Sequence, residues 1–272
     1  MPDPRSEFAS YTRAVHQPEI ELLHARYIRH SFSPHFHDVF AIGEVEAGAL
    51  TNSHRHHFPT VVAEGNLFAI PPSSVHTGKP VGGQGVLYRM MYIPPLIISQ
   101  WLHWRNLPDK IHLSGTIHPD VTRQFLHLHQ ILGEPEYSHL EQESALTEVL
   151  AALFIPNLEP IHPHQGNSEK NSAVEIVKDF LTAHFADNIS LCQLSDLAHM
   201  SAFHLLRIFQ KQVGLSPHAF QTQLRIEKAK QLISKQETLT QIGVQVGFYD
   251  QSHFIKTFKS LVGVTPSQYP VS

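Results

Sequence analysis

The sequence predicts an α+β protein of two domains, in which a β-rich N-terminal domain ends in a helical hairpin and an all-α domain follows. Three observations support this. The chain has 272 residues, which is too long for one ordinary domain. It is 42% hydrophobic and 16% charged, enough apolar residues for two cores. Its apolar pattern changes along the chain from short stretches between turns to helical spacing. We expect domains at 1–155 and 172–272, joined by a proline-containing linker at 156–171.

The N-terminal part is predicted to be a sandwich or small barrel of strands. Short apolar stretches alternate with Gly, Pro, Asn and Ser turns between His24 and Tyr92. The predicted strands include residues 39–45, 60–63, 67–70 and 86–93. Apolar residues then recur every three or four positions over 121–132 and 139–155, which predicts two amphipathic helices around Gly133.

Composition excludes several classes of protein. The longest apolar runs are far shorter than a membrane span. Residues 1–5 lack the basic-then-apolar pattern of a secretion signal. The single cysteine, Cys192, excludes an internal disulfide and a cysteine-based zinc site. We therefore expect a cytoplasmic protein with no membrane partner. The 22 histidines are unusually many, and 17 of them precede residue 171.

Charge is distributed unevenly along the chain. The net charge is −4, yet residues 201–260 contain eight Lys and Arg against three Asp and Glu. A basic window in an acidic chain points to a nucleic-acid-binding segment. The alternative is the solvated basic face of a single helix.

The strongest pattern is an internal repeat, in which residues 190–217 resemble residues 238–266. Each copy has a capping box, a second N-cap, a glycine suited to a helix C-terminus and a Ser/Thr-Pro pair that would open a third helix. These positions are, in order, Ser190 with Gln193, Ser201, Gly214 and Ser216-Pro217; and Thr238 with Gln241, Asp250, Gly263 and Thr265-Pro266. The inward positions of the second helices are Leu205, Ile208 and Phe209, and Phe254, Thr257 and Phe258.

A short helix, a tight turn and a longer capped helix describe a helix-turn-helix. The segment 217–234 between the copies predicts one helix of about 27 Å. Such a spacer would hold two reading helices roughly 34 Å apart, one turn of DNA. A helical bundle with a duplicated hairpin and no DNA role is the alternative.

Residues 171–272 resemble the DNA-binding domain of the AraC/XylS transcription regulators. The resemblance is carried by 247–254, by Phe258-Lys259 and by 263–269. It implies recognition helices at Ala202–Val213 and Gln251–Val262. It also implies double-stranded DNA and RNA polymerase as partners.

The positions expected to face DNA are Ala202, Phe203, Leu206 and Arg207 on the first recognition helix and Gln251, Ser252, His253 and Lys256 on the second. Arg207 suits a guanine or a phosphate, and Phe203 suits thymine methyl groups. A core role for Phe203 is the alternative. Lys256 is expected to contact phosphate, which gives affinity without sequence choice. His204 and His253 occupy equivalent places, so at least one of them could be structural.

Two segments of the N-terminal part resemble the cupin motifs. Residues 34–37 contain His-x-His, and Gly65, Pro71 and His76 keep the spacing of the second motif, with Ser73 in place of a usual glycine. AraC/XylS regulators often carry such a cupin-like β-barrel as their effector-binding domain. The resemblance implies a small-molecule effector, for which the expected binding residues are His35, His37, His76 and Arg89.

A metal site is the alternative role of the three histidines. His35 and His37 share a strand face, and His76 could join them. The carboxylate of the cupin metal motif is missing, because Ala41 and Ile42 stand at its usual spacing and the parity of Glu44 puts it on the opposite face. We expect no cofactor; these histidines would be the ligands if a metal is bound. They could instead hydrogen-bond an effector, or be purely structural.

Two further features remain open at the level of sequence. Arg89 either pairs with a carboxylate or hydroxyl of the effector or faces outward, and Tyr88 faces the other way. The tract at 54–57 contains three histidines and suits a solvated loop better than a metal site.

The helical hairpin at 121–155 has two interpretations. It could simply pack against the barrel. In the family that the chain resembles, helices after the barrel form a dimer interface, which Leu146, Val149, Leu150 and Leu153 would supply.

Together these features predict an effector-controlled, sequence-specific DNA-binding regulator. We expect an activator and a homodimer rather than an enzyme. The alternatives are a metal-dependent cupin enzyme fused to a DNA-binding domain and an architectural DNA binder without a ligand.

Overall fold

A computed structural model describes residues 6–54, 60–104, 119–155, 168–233 and 237–270. The chain forms two compact units that divide near residue 161. The division assigns the short segment Phe32–His35 to the second unit and the other described residues before 161 to the first. The predicted α+β class with two domains is confirmed.

The first unit is built on one curled, eight-stranded sheet, whose path runs β1-β2-β8-β4-β7-β3 and in which β5 and β6 also pair with β4. The strands are β1 Phe8–Arg13, β2 Glu21–Tyr27, β3 Phe32–His35, β4 Phe40–His54, β5 Thr60–Ala63, β6 Leu67–Ile70, β7 His76–Pro80 and β8 Val86–Ile93. The long β4 holds the sheet together because it pairs with four other strands. The strands predicted at 60–63, 67–70 and 86–93 are confirmed, and the one at 39–45 lies within a longer β4.

Alternation along β8 separates the two faces of the sheet. Met91 and Ile93 join Leu22 and Ile42 in a core that three helices cover. Tyr88, Met90 and Tyr92 point to the other face. A bulge in β4 between Val45 and Ala47 shifts the register there.

The three helices over the sheet are α1 Pro95–Trp104, α2 Pro119–Leu132 and α3 His139–Phe154. The predicted hairpin of α2 and α3 is confirmed. Ser138 caps α3 in a capping box with Glu141. Helix α1 was not predicted, because its run of apolar residues has little helical periodicity and its best signal is Pro95 in the first turn.

The expected dimer surface on α3 is wrong. Leu146, Val149, Leu150 and Leu153 are 4%, 1%, 1% and 0% exposed and belong to the core of their own unit. They are buried because the apolar face of α3 packs into the core that lies over the sheet. The exposed apolar residue of this helix is instead Leu140, at 72%.

The second unit is all helical. Its helices are α4 Ser168–Ala183, α5 Leu191–Leu197, α6 Ala202–Val213, α7 Pro217–Ile233, α8 Leu239–Gln245 and α9 Gln251–Val262, followed by a 3₁₀ turn at Pro266–Gln268. Leu205, Phe209, Phe254 and Phe258 form its fully buried centre, and Thr257 is half-buried.

The predicted caps of the repeat are confirmed. Ser190 and Thr238 make capping boxes with Gln193 and Gln241. Ser201 and Asp250 cap the second helices, and Gly214 and Gly263 end them at φ 88° and 91°. The hydroxyl of Ser216 accepts a hydrogen bond from Ala219 at the start of α7.

Two details of the second unit differ from the prediction. Thr265-Pro266 opens only the 3₁₀ turn, not a third helix. The predicted linker 156–171 overlaps α4, which already begins at Ser168, and its remaining residues, 156–167, lie outside the described residues. Within the described residues, no helix has the length and apolar character that crossing a membrane requires.

Candidate functional site

The first helix-turn-helix consists of α5, the turn at 198–201 and α6. His199 in this turn has a left-handed backbone with φ 50°. The Ser201 hydroxyl accepts a hydrogen bond from the backbone N–H of His204 at 3.3 Å. The cap fixes where α6 begins and leaves its first turn accessible.

The outward face of α6 carries the predicted DNA-facing residues. Phe203 is 77% exposed, which contradicts the alternative core role for its ring. Arg207 is exposed, and Ala202 and Leu206 are half-buried. An exposed phenylalanine beside an arginine suits contact with a base edge and a guanine or phosphate.

The second helix-turn-helix repeats this arrangement in α8 and α9. The Asp250 carboxylate accepts a hydrogen bond from the backbone N–H of His253 at 2.7 Å. All four predicted DNA-facing residues of α9 are exposed; they are Gln251, Ser252, His253 and Lys256.

Two of these α9 residues also have contacts within the second unit. The side-chain oxygen of Gln251 accepts a hydrogen bond from the Thr240 hydroxyl at 2.8 Å. The His253 ring lies edge-on to Phe248, with centroids 5.3 Å apart. The same two side chains can therefore help to fix α9 against α8 and the turn.

One exposed residue of this surface was not predicted. Tyr249 is 98% exposed and directly precedes the N-cap of α9. A hydroxyl or backbone group at the start of a recognition helix commonly contacts phosphate. The sequence signal for this exposure was the place of an aromatic residue in the turn between Gly247 and the N-cap Asp250, where turn residues are usually exposed.

A set of hydrogen bonds from α7 supports the second helix-turn-helix. Arg225 donates to the backbone oxygens of Phe185 and Asp187 at 2.8 and 2.9 Å. Gln221 donates to the same two oxygens at 3.1 and 2.9 Å. The segment that they hold contains Ala186, which lies directly against Gly247 in the turn of the second motif.

His35, His37 and His76 form one group of imidazoles. One ring nitrogen from each lies within 4.8 Å of the others. His35 and His76 are 4% and 5% exposed, and His37 is half-buried. The His37 ring lies 5.1 Å from that of His76 and 5.4 Å from that of Tyr92, centroid to centroid.

The loop before β7 holds this cluster in place. The backbone N–H of Ser73 donates to the carbonyl of His37 at 2.7 Å. Ser73 has a left-handed backbone with φ 60°. The position at which the cupin motif has a glycine thus keeps the backbone conformation that favours glycine.

The prediction that Arg89 lies with the three histidines is wrong. Arg89 lies on the face of β8 opposite to Tyr92, which contacts His37. Its guanidinium donates to the carboxylate of Glu46 and lies 3.4 Å from His129 Nδ1. Arg89 therefore has a carboxylate partner in its own chain, and alternation along the strand places Tyr88 on the histidine side instead.

The carboxylate next to Arg89 has an unusual environment. Glu44 pairs in register with Arg89 and is 3% exposed. Burial first, and then the negative charge of Glu46, raise its pKa to about 7 against the opposing charge of Arg89. The predicted position of Glu44 away from the histidine face agrees with this register. The pKa of His129 is lowered to about 4, first by burial and then by Arg89.

The tract at 54–57 is only partly described. The backbone of His54 ends β4, and residues 55–59 lie outside the described residues.

Comparisons with known proteins identify both units. Residues 17–154 match the family model of an AraC-like ligand binding domain, and residues 194–270 match that of a helix-turn-helix domain. The uncharacterized HTH-type transcriptional regulator YbfI of Bacillus subtilis (strain 168) is 30% identical over 246 residues, covering 86% of this chain and 85% of YbfI. The arabinose operon regulatory protein of Escherichia coli (strain K12) is 27% identical over 219 residues, covering 77% and 73%.

Solved structures show the same fold. An apo variant of ToxT from Vibrio cholerae superposes with a TM-score of 0.60 at 13% identity, over 92% of this chain and 96% of that chain. Wild-type ToxT from Vibrio cholerae strain SCE256, bound to an unsaturated fatty acid, gives 0.54 at 14% identity, over 99% and 96%. The two family models and the relative at 30% identity show that the chain belongs to the AraC family of transcriptional regulators, with an N-terminal ligand-binding domain and a C-terminal helix-turn-helix DNA-binding domain.

Proposed function

We propose that this regulator reads a specific DNA site through both helix-turn-helix motifs, with α6 and α9 in successive major grooves. The main support for this proposal is that two separately capped helices expose equivalent positions of the repeat. Phe203 corresponds to Ser252, and Arg207 corresponds to Lys256. A duplicated scaffold without a DNA role would have no reason to expose an apolar ring as large as Phe203.

Different residues of the two helices would contact bases and phosphates. Arg207 and Phe203 suit direct reading of base edges, and Ser252 and His253 can hydrogen-bond bases. Lys256 and the exposed Lys259 would contact phosphates, so they contribute salt-dependent affinity rather than sequence choice. We include Tyr249 among the backbone contacts.

A small molecule bound by the first unit would control this activity. The proposed binding face of the sheet carries Tyr88 and Tyr92, beside the cluster of His35, His37 and His76. Aromatic rings with imidazoles suit an organic ligand that has an apolar body and hydrogen-bonding groups. The fatty acid in ToxT and the name of the arabinose operon regulatory protein support a small-molecule effector for this chain as well.

We also propose that the chain acts as a homodimer in the cytoplasm, as an activator that contacts RNA polymerase, and that it is not an enzyme. Effector binding would shift the populations of two arrangements that differ in DNA affinity, because a ligand acts only through its different affinity for the two states. The relatives are transcriptional regulators, which supports a regulatory role over a catalytic one. The dimer surface is not the buried face of α3.

Capture of genomic DNA fragments by the purified full chain tests this proposal. We expect sharp, reproducible sites for the native protein and their loss in an Arg207→Ala/Lys256→Ala variant. Weak binding without sequence preference in the native protein would overturn it. Compounds suggested by the neighbouring genes can then be tested for a change in affinity for the captured site.

A further inference from the structure

We propose that Phe203 recognises the 5-methyl group of a pyrimidine in the major groove. The half-site under α6 would then have thymine at one fixed position, and 5-methylcytosine would serve in its place. The inference rests on the proposed reading of DNA by α6 and α9, and it names the base chemistry that one of the two helices selects.

Phe203 lies at the leading end of α6. It is the second residue of the helix, and the hydroxyl of Ser201 caps the helix by accepting a hydrogen bond from the backbone N–H of His204 at 3.3 Å. Recognition helices contact base edges mainly with their N-terminal residues. The side chain at this position is therefore among those that reach furthest towards the bases.

The Phe203 ring lies on the side of α6 that faces away from the core of its unit. Leu205, Ile208 and Phe209 form the inward side and are 0%, 7% and 0% exposed. Phe203 is 77% exposed, and Arg207, four residues further on, is exposed on the same side. The ring thus leaves most of its apolar surface for a partner to bury.

The neighbours of the ring on the helix surface are apolar as well. Ala202 and Leu206 are half-buried, and their side chains, like that of Phe203, neither donate nor accept hydrogen bonds. In the major groove, a thymine presents a C5-methyl group, with which alanine and phenylalanine side chains make apolar contact. This methyl group is therefore the feature of a base edge that the start of α6 is best suited to recognise.

The second copy of the repeat has different chemistry at the same place. Ser252 occupies the position equivalent to Phe203, and its exposed neighbours Gln251 and His253 are also polar. The two helices have equivalent caps and glycine ends, so the scaffold of the repeat does not require a phenylalanine here. The difference makes the two half-sites chemically unequal, with a methyl contact under α6 and hydrogen bonds under α9.

Methylated cytosine would use the same contact. Cytosine and thymine are both pyrimidines, and the C5 atom of each lies at the same place on the major-groove edge. A methyl group on cytosine therefore stands where that of thymine does, whereas unmethylated cytosine presents only a hydrogen. Burial of one methyl group corresponds to about a fourfold gain in affinity.

Selection of sites from random duplex DNA by the purified full chain tests the proposal. Each thymine of the enriched site is then replaced singly by uracil, which lacks only the 5-methyl group, and the dissociation constants are compared. We expect one position at which uracil weakens binding of the native chain by about fourfold or more. In Phe203→Ser, which copies the second motif, this uracil should have no effect. An equal effect in Phe203→Ser, or no such position for the native chain, would overturn the proposal.

Two control variants separate methyl recognition from other losses. Val244→Ser removes an apolar side chain that is 67% exposed on α8, and it should leave the effect of uracil unchanged. Arg207→Ala should weaken binding to the thymine and uracil duplexes alike. Loss of the uracil effect in Val244→Ser would assign it to exposed apolar surface in general and overturn the proposal. Since Phe203 is exposed, Phe203→Ser should fold normally, which circular dichroism checks.

Cytosine at the selective position completes the test. The native chain should bind the cytosine duplex more weakly than the thymine duplex and regain about fourfold on 5-methylation of that cytosine. Phe203→Ser should not respond to the methylation. Enrichment of a site without any methyl effect would overturn this proposal and leave the proposed regulatory function standing, whereas failure to enrich any sequence would overturn both.

Discussion

The backbone of Gly247 lies directly against the carbonyl oxygen of Ala186, so that a Cβ at position 247 would stand 2.3 Å from that oxygen. Gly247 also has φ 88°. This contact joins the turn of the second helix-turn-helix to the segment that Gln221 and Arg225 hold on α7. The position of α9 thus depends on a glycine that has both steric and conformational reasons to be there.

Gly247→Ala should destabilise the second unit by about 2 kcal/mol or more, because it combines a left-handed backbone with a steric overlap. Far-UV circular dichroism during urea unfolding measures this loss. Tryptophan fluorescence should change little, since both tryptophans, Trp101 and Trp104, belong to α1 in the first unit.

His199→Gly is the matched control for this prediction, because His199 occupies the same place in the first copy with φ 50°. Removing its side chain relieves the left-handed strain, so we expect stability within about 1 kcal/mol of the native chain. Equal destabilisation by the two substitutions would show that the contact with Ala186 is not what makes Gly247 necessary.

Glu44→Gln should stabilise the first unit at pH 8 and leave it unchanged near pH 4.5. The folded-state pKa of Glu44 is raised to about 7 by burial, with Glu46 adding to the shift. The folded chain therefore binds this proton more tightly than the unfolded chain, and stability falls as the pH rises from about 4.5 to 7. We expect a gain of about 1 to 3 kcal/mol at pH 8, measured by tryptophan fluorescence during urea unfolding.

Glu46→Gln should have the opposite effect at pH 8. Burial raises the pKa of Glu46, but hydrogen bonding to His24 and the charge of Arg89 lower it by more, so its net shift is downward. A carboxylate with a lowered pKa stabilises the fold above its unfolded-state pKa and loses that contribution as the pH falls. Stabilisation by both substitutions at pH 8 would contradict the assigned network around Arg89.

Leu150→Ala should destabilise the first unit by about 2 to 5 kcal/mol, because it opens a cavity in the core between α3 and the sheet. Leu140→Ala, at an exposed site on the same helix, should change stability by less than about 0.5 kcal/mol. The two variants also separate folding from assembly. If sedimentation shows that Leu150→Ala changes only the oligomeric state, the intrachain role of Leu150 is wrong.

The repeat was predictable from sequence because its positions are fixed by local rules. A helix cap such as Ser201 or Asp250 hydrogen-bonds a backbone group only three residues away. A helix-ending glycine such as Gly214 likewise depends only on the local backbone conformation. The strands at 60–63, 67–70 and 86–93 were likewise visible from turn residues and short apolar stretches. These features need no knowledge of what packs against them.

What the sequence could not supply depends on which face meets which partner. The periodicity of α3 showed that Leu146 and Leu150 share a face, but the same face could cover a sheet or a second chain. Alternation along β8 showed that Tyr88 and Arg89 point opposite ways, but not which of them lies on the histidine side. Glu46 reaches Arg89 only through the bulge in β4, for which the sequence has no clear signal.

DNA reading by α6 and α9 is tested by measuring the affinity of the chain for one captured fragment as a function of salt concentration. Arg207→Ala/Lys256→Ala is compared with Lys178→Ala/Lys228→Ala, which removes the same charge from α4 and α7. We predict that the first variant loses preference for the captured site over random DNA, while the control keeps it. Equal loss in both variants, or full retention in the first, would contradict DNA reading by α6 and α9.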